Sequence, residues 1–504
     1  ITSVEYYDTV FAIAESPLQK GMLWAGTDDG LIHLTRDDGK TWENVTPKDM
    51  PEWALVSIIE ASHFDPGTAY AAIDLHKLDQ LTPLIYKTHD FGQTWTRISN
   101  GIPAGAYTRA VREDPKVKGL LYAGTETGVF FSIDDGAHWQ PLQLNLPTTP
   151  VHDLAVKDSD LVAATHGRSF WILDDVSPLR QASSSIPRED FHLYSPATAV
   201  RLHFPGQVDR KRPVGDNPPK GAVLYYYLKA KPAAKEEITL DVFDAQGRHV
   251  RRLSNLEDNK NEQPPEWPDQ ERPSNLLPAD AGLNRFAWDF RSDPPAQIPG
   301  AFYEGEPPRG PLVLPGSYQV KLTVKGKTQA ASLQIINDPR LKSTVSEADL
   351  QKQAELTTNV KADIDNLHRA VNQIRGLRAG LQGLQKQSGA AAPSSDVTAA
   401  AKALDQKMTP VEETLMQVKI KSSEGNLRYP NRLNEQYASF NDLIQSFDQA
   451  PTAQQLLVYD DLHTRLTAEL AKWQQIQTAD VPALNDLMRK SGGQSLTVGN
   501  GLGD

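Results

Sequence analysis

The chain has 504 residues, a formal net charge of −12 at pH 7 and no cysteine. At about 150 residues per domain, this length corresponds to roughly three domains. The acidic balance, with Arg210-Lys211-Arg212 as the one basic cluster, excludes nucleic acid as a partner. No apolar run approaches the ~18 residues of a membrane span, and the lack of thiols excludes disulfides and thiolate metal sites. Ile1 is not a methionine and no signal segment precedes the first strand pattern, so the sequence reads as the C-terminal part of a longer protein.

Three stretches each lay out four short strands separated by turn residues, as in a four-stranded propeller blade. The first uses 10–16, 22–27, 31–37 and 41–46; the second 54–62, 69–74, 84–90 and 94–99; the third 108–114, 120–125, 128–134 and 138–143. A fourth offers 151–157, 161–166 and 169–175 and then stops. The three complete sets share one corner: TRDDGKTW at 35–42, THDFGQTW at 88–95 and SIDDGAHW at 132–139. Their starts lie about 53 and then 44 residues apart, within the period range of propeller blades. Asp37, Asp90 and Asp134 are placed to accept backbone N–H groups of the turn, and Gly39, Gly92 and Gly136 permit positive φ. Trp42, Trp95 and Trp139 are expected to lay their rings between neighbouring sheets.

With LWAGTDDG (23–30), LYAGTETG (121–128) and LVAATHGR (161–168) repeated around them, these corners resemble the Asp-box, or BNR-repeat, family of β-propellers. That family includes sialidases, xyloglucan-degrading glucanases, sortilin and large secreted bacterial proteins often labelled glycosyl hydrolases. Runs at 51–70 and 146–154 look like the bacterial branch, and the resemblance covers residues 1 to 180. It implies a propeller and export to the periplasm or beyond the cell; the Asp-box itself marks a fold and not a catalyst. Three blades and part of a fourth do not close a ring of typically 4–8. The remaining blades are therefore expected upstream or on a companion chain. An N-terminal strand could also complete the fourth blade, and a four-bladed ring is the alternative.

From residue 191 the texture changes to longer period-two runs at 191–204, 221–230, 238–253, 283–291 and 316–336, with turns at Gln246-Gly247 and Lys325-Gly326. They predict a β-sandwich of immunoglobulin or fibronectin type III kind. Pro-rich excursions at 261–278 and 294–315 either pack over a neighbour or stay as surface loops. Beyond residue 339 the pattern is helical. Ser346 with Asp349 forms a capping-box signature, followed by a stripe through Val360, Ile364, Leu367, Val371, Ile374, Leu377, Leu381 and Leu384. After a GAAAPSS linker (389–395) come helical segments at 397–421, interrupted at Pro410, then 431–447, and 452–491 carrying Leu456, Leu462, Leu466, Leu470 and Trp473. Four segments with short loops predict an antiparallel bundle.

The loops from second to third strands lie opposite the corners, near the central channel, and carry Asp28, Asp29, Asp74, His76, Glu126, His166 and Arg168. Such groups converging on a funnel are what a carbohydrate or cation site needs; polar groups also simply cap exposed hairpins. A glycosidase would need two carboxyls about 5–10 Å apart. Neither an arginine triad nor a Tyr/Glu nucleophile pair of sialidase type is identifiable, and Arg109 and Arg112 are expected to pair with surface carboxylates. His89 and His138 fall within the corners and read as structural. Asp37-Asp38 and Asp174-Asp175 offer calcium-type oxygens, but corner aspartates are consumed by backbone bonds, so no metal or other cofactor is expected. No Gly-x-Ser-x-Gly elbow or phosphate loop occurs.

The residues thus lead to a multidomain, mainly β chain. A partial Asp-box β-propeller spans 1–182, an Ig- or fibronectin-III-like β-sandwich with long Pro-rich loops 190–338, a C-terminal α-helical bundle 344–491, and a flexible tail 492–504. The expected function is non-catalytic recognition of a protein or carbohydrate ligand in the periplasm or outside the cell. An Asp-box glycoside hydrolase is the alternative. Expected partners are an upstream propeller half or companion chain, and a further copy of the chain through the helical bundle.

Overall fold

Short alternating runs broken by Gly- and Asp-bearing turns fold back on themselves as hairpins. The computed structural model describes residues 9–182, 186–203, 219–256, 276–303, 307–386 and 393–501. The chain falls into two compact units that divide between Arg188 and Glu189.

In the first unit every repeat is one sheet, paired antiparallel in chain order. The first sheet comprises β1 (Val10–Glu15), β2 (Leu23–Thr27), β3 (Ile32–Thr35) and β4 (Glu43–Asn44). The second comprises β5 (Leu55–Ala61), β6 (Ala69–Leu75), β7 (Gln80–Thr88) and β8 (Thr96–Arg97). The third comprises β9 (Thr108–Glu113), β10 (Leu121–Thr125), β11 (Val129–Ser132) and β12 (Gln140–Pro141). The last has three strands, β13 (Val151–Lys157), β14 (Asp160–Thr165) and β15 (Phe170–Leu173), and leads into α1 (Ser177–Arg180). Consecutive sheets stack face to face, as propeller blades do. Trp24 and Leu34 of the first sheet share a core with Ile59 of the second, Tyr70 and Ile85 with Val111 of the third, and Tyr122 and Val129 with Leu154 of the last.

The three corners are the same object built three times. Asp37 accepts the Thr41 N–H (2.9 Å) and hydroxyl (2.7 Å), and Asp90 accepts the same groups of Thr94 (2.9 and 2.6 Å). Asp134 accepts the His138 N–H (2.8 Å) and faces its Nδ1 at 2.7 Å. The hydroxyls of Thr35, Thr88 and Ser132 take the N–H of Gly39, Gly92 and Gly136 at 3.0, 2.9 and 2.9 Å. Those glycines have φ of 83°, 80° and 86°, the left-handed region where a Cβ is costly. The second and third corners then tie to the sheet before them: the Trp95 indole donates to the Val45 carbonyl at 2.7 Å, and that of Trp139 to the Ile98 carbonyl. Trp42 differs from the expectation. No described sheet precedes the first one, and Trp42 remains 43 % exposed.

The second unit pairs two sheets with a set of helices. Strands β16 (Phe191–Leu193), β18 (Ala222–Leu228) and β21 (Gly282–Trp288) form one sheet. The other runs β17 (Ala199–Arg201), β23 (Lys327–Asn337), β22 (Gly316–Val324), β19 (Ile238–Asp244) and β20 (His249–Ser254). Leu224, Tyr226, Leu240, Val242, Leu322 and Ile335 close one core between them. β17 runs parallel to β23, a pairing that alternation alone does not reveal.

The helices are α2 (Glu347–Gln385), α3 (Ser395–Leu415), α4 (Leu433–Ile444), α5 (Ala453–Gln475) and α6 (Val481–Lys490). The Ser346–Asp349 capping box is formed in both directions. All eight residues of the α2 stripe are buried. Three details differ from the sequence reading. α3 runs through Pro410 and ends at Leu415 instead of breaking there; the proline costs one N–H bond and crowds the preceding turn, and burial of Val411 and Leu415 beyond it in the core offsets this. Leu456, expected on the buried stripe of α5, is 47 % exposed. The tail, expected to be flexible, packs Leu496 and Val498 on the helical core, with Asn485 bonding both backbone groups of Leu496 at 2.8 Å. The loop at 294–315 sends Ile298, Ala301 and Tyr303 into that core. The excursion at 261–278 falls almost wholly outside the described residues, as does Arg210-Lys211-Arg212. Among the described residues no helix is long and apolar enough to cross a membrane.

Two outcomes follow from the corners. Trp139→Ala should cost about 3–5 kcal/mol, as for a buried aromatic, and Trp42→Ala less than about 1 kcal/mol, read as shifts in the urea unfolding of the chain. The Asp37 carboxyl is lowered to about 2, by the Thr41 N–H first and then the Thr41 and Thr35 hydroxyls. Burial alone would raise Asp90, but the Thr94 and Thr88 bonds outweigh it and also bring it to about 2. A depressed carboxyl contributes stability above its unfolded value, near 3.9. That stability should fade as pH drops from about 4 to 2, and the double variant Asp37→Asn/Asp90→Asn should flatten the acid-unfolding curve there.

Candidate ligand-binding site

One irregularity recurs in every sheet of the first unit. The pairing of first and second strands slips by one residue at the same place: between Val10 and Ala12, Val56 and Ile58, Thr108 and Ala110, and Val151 and Asp153. The skipped residues, Phe11, Ser57, Arg109 and His152, are β-bulges, which re-aim a side chain out of the alternation. All four line a single cavity of about 430 Å³. The second strand delivers another repeated position just beyond the bulge: Asp28, Asp74, Glu126 and His166, each following the partner of Val10, Val56, Thr108 or Val151. The N–H groups of Asp28, Glu126 and His166 donate across to the start of the first strand, to the carbonyls of Thr9, Tyr107 and Pro150 at 3.1, 3.0 and 2.8 Å.

Arg109 is the hub. Its Nε and Nη2 donate to Glu126 Oε2 at 3.0 and 2.8 Å, Nη2 also to the Tyr107 hydroxyl at 2.9 Å, and Nη1 reaches Asp74 at 3.5 Å. Asp74, itself buried, accepts the His76 N–H at 2.9 Å and faces its Nδ1 at 2.7 Å. The His76 ring stacks on Tyr107 at 4.9 Å, and the Tyr107 ring lies 4.9 Å from the Arg109 guanidinium. Burial would push the Glu126 carboxyl up, but the bonds from Arg109 and Tyr107 outweigh it and hold it below the usual carboxylate range. Burial first, then the charges of Arg109 and His166, lower His152 below an ordinary imidazole. His152 and His166 meet edge to face at 5.0 Å. Asp28 accepts the Thr9 N–H at 3.0 Å. Trp53, Leu55, Leu75 and Leu78 give the cavity an apolar side.

Of the residues singled out in the sequence, Asp28, Asp74, His76 and His166 line the cavity, and Glu126 is tied to it through Arg109. Asp29 accepts the Thr27 hydroxyl, and Arg168 bonds through its backbone to Thr165 and Trp171; neither lines the cavity. Arg109 is a correction: it pairs with two carboxylates at the cavity and not with surface ones. Arg112 bridges Glu60 and Asp153 on the flanking sheets at 2.9 and 2.7 Å. Phe11, Ser57, Arg109 and His152 were missed because period-two reasoning allots them to a sheet face; aligning the four first strands on one another was the available signal.

No family model and no curated protein matches the chain. Among solved structures, YCF48 from Cyanidioschyzon merolae is similar at 18 % identity over 34 % of this chain and 55 % of that one, with a TM-score of 0.27. YCF48 bound to D1 peptide gives 16 % identity over 49 % and 69 %, TM-score 0.27. A GH74 enzyme of Niastella koreensis gives 14 % identity over 50 % and 38 %, TM-score 0.27. The chain thus spans little more than half of the first of these structures, and at such scores the likenesses carry no argument about it.

The Arg109–Glu126 pair has a sign that can be checked. Its contribution is present above the unfolded glutamate value, near 4.3, and is lost as pH falls through the lower folded one. Arg109→Gln should move the Glu126 titration upward, followed by NMR of carboxyl-labelled glutamate against the parent chain.

Proposed function

We propose that this chain is a recognition protein, exported from the cytoplasm, that takes a protein or glycan ligand in the cavity at the bulges. The observation that carries the reading is the state of its carboxylates. A glycosidase holds one carboxyl protonated beside another that is ionised. Here Asp74 and Glu126 share one guanidinium and Glu126 is held more acidic, the reverse of a general acid. Asp28 is occupied by a backbone N–H. What remains is a lining that combines Arg109 and histidines with apolar Trp53 and Leu78, a mixture suited to orienting a ligand. The corners and the four-sheet stack support placing the chain with the Asp-box propellers.

Calorimetric titration with sialyl-lactose, xyloglucan oligosaccharides and a set of heptapeptides tests this. One class should bind, with Arg109→Ala and Trp53→Ala each weakening it about 10- to 100-fold. Hydrolysis of either oligosaccharide that disappears in Glu126→Gln would sink the reading and favour the hydrolase.

A further inference from the structure

Equivalent residues in the four sheets show what each face is built to touch. Two positions after the bulge stand Ile59, Val111 and Leu154, opposite Ala71, Ala123 and Ala163, and each is at most 3 % exposed because it packs on the preceding sheet. Their counterpart in the first sheet is Ile13, opposite Ala25, and it is 67 % exposed. The other end of the stack repeats the contrast. Ile32, Ile85 and Val129 lie under the next sheet and are at most 3 % exposed, whereas their counterpart Phe170 is 73 % exposed, with Ile172 at 60 %.

The last sheet also keeps the room that a covering sheet requires. A Cβ on Gly26 would meet Val56 at 2.4 Å, and one on Gly124 would meet the Val151 carbonyl at 2.7 Å, because the next first strand passes so close. Ala72 and Ala164 hold the same position in the second and last sheets. Ala164 is therefore small where no described neighbour demands it.

We infer that both end faces are blade interfaces, covered in the working protein by further four-stranded sheets from polypeptide outside this chain. The sheet that meets Ile13 brings a large ring on its second strand, because Trp24, Tyr70 and Tyr122 occupy that place against Ile59, Val111 and Leu154. The sheet that meets Phe170 and Ile172 brings an aliphatic side chain two places after its own bulge. A second copy of this chain does not satisfy the first requirement: its last sheet offers Val162 where the ring belongs. The exposed Trp42 fits the same pattern, since its indole lacks the preceding-sheet carbonyl that Trp95 and Trp139 use.

The chain has no cysteine, so a single introduced thiol reports its own position. Ile13→Cys, Phe170→Cys and the exposed control Leu144→Cys are compared by maleimide labelling, in the isolated 504-residue chain and in the protein purified from its native cells. Val10→Cys and Ile172→Cys replace the first two if either misfolds by circular dichroism. In the isolated chain all three should label alike. In the native protein, positions 13 and 170 should label at least about tenfold more slowly than position 144, in a species whose mass includes polypeptide other than this chain. Equal labelling in the native protein overturns the inference. So does protection already present in the isolated chain, or protection in a species made only of copies of it.

Discussion

A β-sheet has two faces, and one with apolar side chains on both must be covered on both. That constraint governs the first unit. Trp24, Tyr70 and Tyr122 can be large and buried only because Ile59, Val111 and Leu154 arrive from the next sheet to meet them. Burying such side chains contributes about 1.5–3 kcal/mol each, so the stack is held mainly between sheets; the turns fix the distance at which they meet. The corner at 88–95 shows how that distance is set: the Asp90 carboxylate locks the turn, and the Trp95 indole reaches one sheet back to the Val45 carbonyl. Locking the corner and docking the sheet are one act.

The cavity depends on the same register. A first strand in strict alternation would send every second side chain into an inter-sheet core and none down the axis. The bulge releases one residue per sheet from that rule, and four releases at one level give a ring of unlike groups: a phenyl, a hydroxyl, a guanidinium and an imidazole. Chemistry can vary at these positions without disturbing the stack, because none of the four belongs to the buried inter-sheet clusters. Ser57 shows the coupling between neighbours, its hydroxyl donating to the Arg109 carbonyl at 2.7 Å.

Much of this was legible in the sequence because it repeats. Ser/Thr-x-Asp-x-Gly-x-Thr/His-Trp states its own hydrogen bonds, and the structure forms them at Asp37, Asp90 and Asp134. The α2 stripe and its capping box were equally plain. What stayed hidden depends on pairing and not on composition. The bulges are a property of two strands together: Arg109 reads as an ordinary strand residue until the pairing of Thr108 with Thr125 and of Ala110 with Gly124 shows it skipped. Leu456 keeps the helical spacing of a core residue yet lies where no element covers it. Val411 and Leu415 hold α3 together past Pro410, a tertiary effect that local propensity opposes.

Cavity and end faces are not separate features. Phe11 is both the first-sheet bulge residue lining the cavity and a neighbour of Ile13 on the strand that ends the stack. At the far side, β13 carries His152 into the cavity and Leu154 into the core, while β15, two strands away, leaves Phe170 exposed. A sheet added at either end would bring its own bulge residue to the same level and extend the ring of side chains. The ligand chemistry would then be set jointly, with Arg109 and its two carboxylates as the fixed centre and the incoming residues as the variable rim. Covering the faces and completing the site are in this architecture the same event, since the register that buries an Ile13 counterpart is also the one that turns its bulge inward.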